Sequence, residues 1–179
     1  MRWRGSLAGG FAGTVVLTTV LRAGSEARLT RVDLPFLLGT AVTTDRQRAK
    51  VIGYGAHFGI GLAFALLYRW LFSALDKSGW RLGALFGTAH GALSATVLVN
   101  VVLPVLHPRM GTPFTAAGSS PLIEPPGFLM RNYGRSTAFV SLAAHILYGM
   151  IVGAFADLDR PVCSVERHSA QSWASQLHR

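Results

Sequence analysis

The chain has 179 residues, of which half are hydrophobic and only 14% are charged, against roughly 25% charged residues in ordinary soluble domains. A formal charge of +9 can indicate nucleic-acid binding, but these arginines lie in segments between apolar runs. Such a distribution is typical of membrane proteins, and it disfavours a nucleic-acid partner. The single cysteine, Cys163, excludes an internal disulfide and a zinc site with several cysteines.

Four apolar segments approach the length that a membrane-crossing helix needs, about 20 residues. The first segment follows two arginines, so a cleaved signal peptide is the alternative to a retained helix. Gly5, Gly9 and Gly13 are spaced four residues apart and predict a flat face that packs against another helix, which favours retention. The third segment is predicted to end at Pro104. The four predicted spans are residues 5–21, 51–75, 82–103 and 137–156.

The connections predict the topology of this all-α membrane bundle. A tight polar turn at residues 76–79 makes the second and third spans antiparallel. Residues 22–50 contain an apolar stretch that is too short to span and suits the membrane interface. Residues 104–136 form a proline-rich loop whose apolar side chains are expected to fold back onto the helices: Phe114, Leu122, Ile123, Phe128 and Leu129. The two long loops should share one side of the membrane, and residues 157–179 should form a polar tail.

The orientation rests on basic residues near the ends of the spans. Lysine and arginine are almost equally numerous on the two sides, so their total does not decide it. Arg2 and Arg4 directly flank the first span. Since cytoplasmic ends are enriched in basic residues, we predict cytoplasmic termini.

The last three spans each contain one histidine that follows an alanine and precedes a small residue by four positions. Residues four apart share a helix face, so His57, His90 and His145 are predicted to face other helices rather than lipid. At 1.5 Å per residue, they lie roughly 9, 18 and 12 Å from the side of the long loops. The three imidazoles therefore lie near a common level, where they could converge.

Two interpretations of these histidines stay open. In the first, each imidazole only forms a hydrogen bond between helices, worth about 1 kcal/mol, with polar partners such as Ser94, Ser141 or Asn100. In the second, they form a site that binds a metal or haem or relays protons, because neutral imidazole is a good ligand and titrates near neutrality. Ionisable residues inside a membrane are candidates for function.

The proline-rich loop offers two further candidates. His107 follows the third span, and Glu124 is the only acidic residue of that loop. Together they could complete a metal site beside the three histidines. The alternative is that Pro104 and Pro108 end the helix while Arg109 meets lipid headgroups.

Several short segments resemble the YagU-like group of bacterial inner-membrane proteins and related actinobacterial proteins. These segments are RVDLPFLLGT (31–40), AHFGIGLAFALLY (56–68), HPRMGTP (107–113), EPPGFL (124–129) and AHILYG (144–149). The resemblance covers about residues 20–156, is specific only when the segments are taken together, and implies a small helical protein of the bacterial inner membrane. It carries no established reaction, so no catalytic residue can be transferred.

The sequence therefore supports two main hypotheses. The protein binds or conducts something through His57, His90 and His145, or it is a structural or assembly factor that contacts another membrane protein or a second copy of itself. A membrane enzyme would need a polar cavity lined by residues such as Asp33, His107 and Glu124. Phosphate-binding, zinc-protease and serine-hydrolase motifs are absent from the sequence, so no enzyme class is indicated.

Overall fold

A computed structural model describes residues 3–111 and 123–158, and this part of the chain is helical with no strand. The predicted all-α bundle is thus confirmed. Phe114, Leu122, Cys163 and all but the first two residues of the predicted tail lie outside the described residues. The elements are α1 (Arg4–Glu26), α2 (Leu34–Thr40), α3 (Arg46–Ala74), α4 (Trp80–Leu93), a π-helix (Ser94–Val102), α5 (Leu103–Leu106), a 3-10 helix (Phe128–Tyr133) and α6 (Thr137–Asp157).

Four continuous helices are long and apolar enough to cross a membrane: Arg4–Glu26, Arg46–Ala74, Trp80–Leu106 and Thr137–Asp157. The first two extend about one turn beyond the predicted spans on the side of the long loops. In α1 the extra turn carries an ion pair of Arg22 with Glu26. In α3 it begins at Asp45, whose carboxylate accepts a hydrogen bond from the Arg48 backbone N–H at 2.7 Å. Polar capping and pairing can extend a helix past the apolar core, which hydropathy alone does not register.

The third helix does not end at Pro104 as predicted. The chain changes from α-helix to π-helix at Ser94 and continues through Pro104 to Leu106. Proline lacks an N–H and crowds the carbonyl four residues earlier, here that of Asn100. The wider turns avoid this clash, and the Asn100 side-chain amide donates to the Ala95 carbonyl five residues back at 2.5 Å.

Small residues bring the helix backbones close together, as is usual in membranes. Gly9 lies against Val152 and Phe155 of α6, and Gly13 lies against Tyr148. The prediction that these two glycines of α1 contact another helix is confirmed. The contact between α4 and α6 is closer still, because four glycines meet there backbone to backbone: Gly83, Gly87, Gly149 and Gly153.

The two long loops lie on the same side, as predicted, and they bond to each other. The Arg31 backbone N–H donates to the Tyr133 carbonyl at 2.7 Å, and the Arg31 guanidinium donates to the Asn132 carbonyl at 2.6 Å. The apolar stretch of the first loop forms α2, which packs against the start of α3. In the second loop, Met110 and Met130 are buried.

The apolar residues predicted to fold back from the second loop behave differently from one another. Ile123 and Leu129 are half-buried, whereas Phe128 is 66% exposed, so its predicted packing is wrong. After Phe128 the backbone leaves the helical region, because Leu129 and Met130 adopt left-handed angles with φ of 57° and 55°, and it is Met130 rather than Phe128 that is buried.

The bundle has a gap between α3 and α4, and this gap positions the candidate site. Close backbone contacts join α6 to α1 and α4, and α3 to α1 and α2, but α3 and α4 hardly approach each other. Near the turn that connects these two helices, aromatic rings fill the gap: Phe72 stacks on Phe86 with their centroids 5.2 Å apart, and Tyr68 meets Phe86 edge-on at 5.6 Å. Nearer the long loops, the gap is a cavity.

A histidine-lined cavity as the candidate functional site

The cavity has a volume of about 290 Å³, near the lower end of the roughly 300–1,000 Å³ of small-molecule sites. Helices α1 and α6 form its back, α2 covers it on the long-loop side, and α3 and the π-helix flank it. Most of its lining is aliphatic or aromatic. Its lining includes Ile60, Val102 and Leu106, which are 44%, 39% and 73% exposed and belong to helices long and apolar enough to cross a membrane.

All three predicted histidines line this one cavity. His57 and His145 are buried, with 6% and 7% of their surfaces exposed. The rings of His90 and His145 lie edge to face, with centroids 4.7 Å apart, and His90 also stacks on Phe64 at 3.8 Å. The small residues four positions after His57 and His145 let neighbouring elements approach: Thr14 lies against Gly61, and Gly83 and Gly87 lie against Gly149.

The three imidazoles form two kinds of hydrogen bond. His57 Nε2 lies 3.1 Å from the Thr18 hydroxyl of α1, and His90 Nδ1 lies 3.3 Å from the Tyr68 hydroxyl of α3. Both bonds join two helices, as the structural interpretation requires. His145 Nδ1 instead lies 2.7 Å from the Ser141 carbonyl of its own helix, so this bond cannot hold two helices together.

Two of these partners are not predicted by the sequence. Tyr68 precedes Arg69 and Trp70, and this combination of residue types is typical of a membrane interface, but its side chain is only 2% exposed. Tyr68 follows His57 by eleven residues, close to three turns of 3.6, so helical periodicity could have placed both on one face. Thr18 carries no comparable signal, because nothing in the sequence shows which face of α1 meets α3.

His107 and Glu124 do not belong to the cavity. His107 Nε2 lies 3.1 Å from the Leu37 carbonyl and 3.2 Å from the Thr40 hydroxyl, and its Nδ1 accepts from the Arg109 backbone N–H at 3.2 Å. This imidazole therefore ties the second loop to α2. Arg109 donates to the Thr40 carbonyl at 2.5 Å. His107 and Arg109 are thus both hydrogen-bonded to α2.

Glu124 is exposed, and its backbone carbonyl accepts a hydrogen bond from the Tyr133 hydroxyl at 2.5 Å. Burial raises the pKa of the Tyr133 phenol, and the nearby Glu124 carboxylate raises it further, against the opposing effect of Arg31. Asp33 accepts a hydrogen bond from the Phe36 backbone N–H at the start of α2. Among the described residues, Asp33, His107 and Glu124 therefore bond to different groups and share no hydrogen bond with one another.

Asn100 also lies apart from the histidines, in a shallow recess between the π-helix and the second loop. Its Oδ1 is buried and has no hydrogen-bond partner in the described part of the chain. Within residues 3–111 and 123–158, no three histidine, cysteine, aspartate or glutamate side chains are grouped so as to hold a metal ion. Metal or haem binding thus remains a prediction from the sequence.

No family model, curated protein or solved structure matches this chain. Membership of the YagU-like group therefore remains a prediction.

Proposed function

We propose that the protein binds a small lipophilic molecule within the membrane, in the cavity between α3 and the π-helix. One observation carries the proposal: three imidazoles from three helices line one mostly apolar cavity, whose lining also includes exposed apolar side chains of the spans. Apolar walls with a few convergent polar groups are the usual composition of a ligand site. The exposed apolar side chains of the lining suit a molecule that arrives dissolved in the bilayer.

The π-helix supports this proposal. π-helical turns are rare and occur frequently at functional sites. Here Leu98, Val99 and Val102 of the π-helix line the cavity. A regular α-helix would turn these side chains in other directions, so the unusual backbone shapes the wall of the site.

The rival function is structural, with the histidines acting only as links between helices. The bonds of His57 with Thr18 and of His90 with Tyr68 favour it. The intrahelical bond of His145 and the cavity itself are not accounted for by that role. Proton relay has less support, because the described hydrogen bonds link each histidine to a separate partner rather than to the next histidine.

We place this binding function in a bacterial inner membrane with cytoplasmic termini. The four spans, the arginines that flank the first of them and the resemblance to inner-membrane proteins support this location.

Filling the cavity should abolish binding. We expect Leu98→Trp to place an indole in the cavity, because Leu98 lines it. The neighbouring Val97 does not line the cavity and is 41% exposed, so Val97→Trp is the matched control. The measurement is photo-crosslinking of a diazirine-bearing decane in lipid nanodiscs, with labelled residues identified by mass spectrometry.

In the wild type and in Val97→Trp, label should appear in α3 around Ile60–Phe64 and in the π-helix; in Leu98→Trp it should fall to the level of other lipid-facing residues. Uniform labelling of all lipid-facing surfaces in the wild type would overturn the proposed function. So would unchanged labelling of the cavity in Leu98→Trp.

A further inference from the structure

We propose that the ligand carries a hydroxyl group, as in a lipophilic alcohol or phenol, and that His57 or His145 accepts the hydrogen bond that this hydroxyl donates. This inference rests on the proposed function and specifies the chemical class of the molecule bound. It follows from where the protein's own hydrogen bonds place the imidazole protons.

The position of the proton on His57 follows from the hydrogen bond that Thr18 makes to the Thr14 carbonyl. The Thr18 hydroxyl donates its only proton to the Thr14 carbonyl at 2.7 Å. It can therefore only accept from His57, so His57 Nε2 carries the proton. In a neutral imidazole the other nitrogen carries no proton and is a hydrogen-bond acceptor. Nδ1 of His57 is therefore an acceptor.

The proton of His145 is determined directly. A carbonyl oxygen can only accept, so the 2.7 Å contact with the Ser141 carbonyl places the proton on Nδ1 of His145. Its Nε2 is therefore an acceptor as well. Along the described chain, neither His57 Nδ1 nor His145 Nε2 has a hydrogen-bond partner from the protein.

Two acceptors in an apolar cavity need a donor, because an unsatisfied polar group in hydrocarbon is costly. The nearby Tyr148 hydroxyl cannot serve, since it donates to the Gly61 carbonyl at 2.5 Å. A neutral O–H group satisfies an acceptor without bringing charge into the membrane. A carboxylate offers no proton and would bring a charge, and a protonated amine would bring a charge that is expensive at this depth.

His90 can act either as a hydrogen-bond donor or as an acceptor toward a ligand. Its partner, the Tyr68 hydroxyl, can either donate or accept, so the His90 proton can lie on either nitrogen. His90 can thus accept or donate when a hydroxyl oxygen, which does both, binds beside His145.

The test compares decanol with its methyl ether, decyl methyl ether, as competitors of the decane photolabel in wild-type nanodiscs. Both are supplied at matched mole fractions in the bilayer, so that membrane partitioning is equal. One net hydrogen bond corresponds to about a fivefold to tenfold difference in affinity. We expect decanol to compete better than the ether by that factor, and decanoate to compete least.

Phenylalanine variants identify the accepting atoms. His57→Phe and His145→Phe keep an aromatic ring at each position and remove every ring nitrogen, so neither side chain can accept a hydrogen bond. Glutamine or asparagine would not serve, because the amide oxygen of each is itself an acceptor. We expect the advantage of decanol over the ether to shrink to less than about twofold in the double variant, and thermal unfolding in detergent checks that this variant is folded.

The outcomes separate the two proposals. Cavity labelling with equal competition by alcohol and ether would overturn the hydroxyl assignment and leave lipophilic binding in place. A full alcohol preference in the folded double variant would overturn the role of the two histidines. Absence of cavity labelling in the wild type would overturn the binding function and the hydroxyl assignment with it.

Discussion

Gly83→Ala should lower the stability of the bundle, although alanine is the better helix former. A Cβ at Gly83 would overlap the Gly149 carbonyl oxygen and lie 3.0 Å from the Gly153 Cα. These are backbone atoms, so α4 and α6 must move apart to admit it. Overpacking of this kind costs about 1–3 kcal/mol, and in lipid the close packing of small residues is itself a main source of helix association.

The chain supplies a matched control in α3. A Cβ at Gly55 or Gly59 would meet nothing within 4 Å, so Gly55→Ala should gain about 0.5–1 kcal/mol from helix propensity alone. Thermal unfolding of the purified variants in one detergent measures both effects. Equal shifts for Gly83→Ala and Gly55→Ala would contradict the backbone contact between α4 and α6.

Tyr148→Ala should destabilise the bundle even more than Gly83→Ala. Tyr148 is only 1% exposed, contacts Gly13 of α1 and meets the ring of Tyr68 edge-on at 5.8 Å. Its hydroxyl also donates to α3. Removing a large buried aromatic side chain costs about 3–5 kcal/mol, because its neighbours on α1 and α3 lose their contacts at once. Thermal unfolding in the same detergent measures the loss.

Two control variants distinguish the contribution of the Tyr148 ring from that of its hydroxyl and from the general effect of removing an aromatic ring from α6. Tyr148→Phe keeps the ring and loses one hydrogen bond, at a cost of about 1 kcal/mol. Phe139→Ala removes an aromatic ring from the same helix at a position that is 75% exposed, and it should change the melting temperature least. Equal melting temperatures for Tyr148→Ala and Phe139→Ala would show that the Tyr148 ring does not hold the helices together.

The sequence by itself determined the class of this protein and much of its topology. Apolar runs of the length of a bilayer have few stable alternatives to a helix, because hydrocarbon leaves backbone groups no other partner. The tight turn at residues 76–79 and the even number of spans then place both long loops on one side. The positions of His57, His90 and His145 on small-residue faces follow from helical periodicity, and so does their similar depth.

Only the tertiary structure decided what surrounds those histidines. Periodicity gives the face of a helix but not which helix it meets, so Thr18 and Tyr68 could not be identified as partners, nor His107 and Glu124 separated from the site. The gap between α3 and α4 is invisible in either segment alone, because it depends on glycines of α4 and α6 drawing those two helices together. Local rules likewise predicted an end at Pro104, whereas the wider turns of a π-helix carry the chain past it and shape one wall of the cavity.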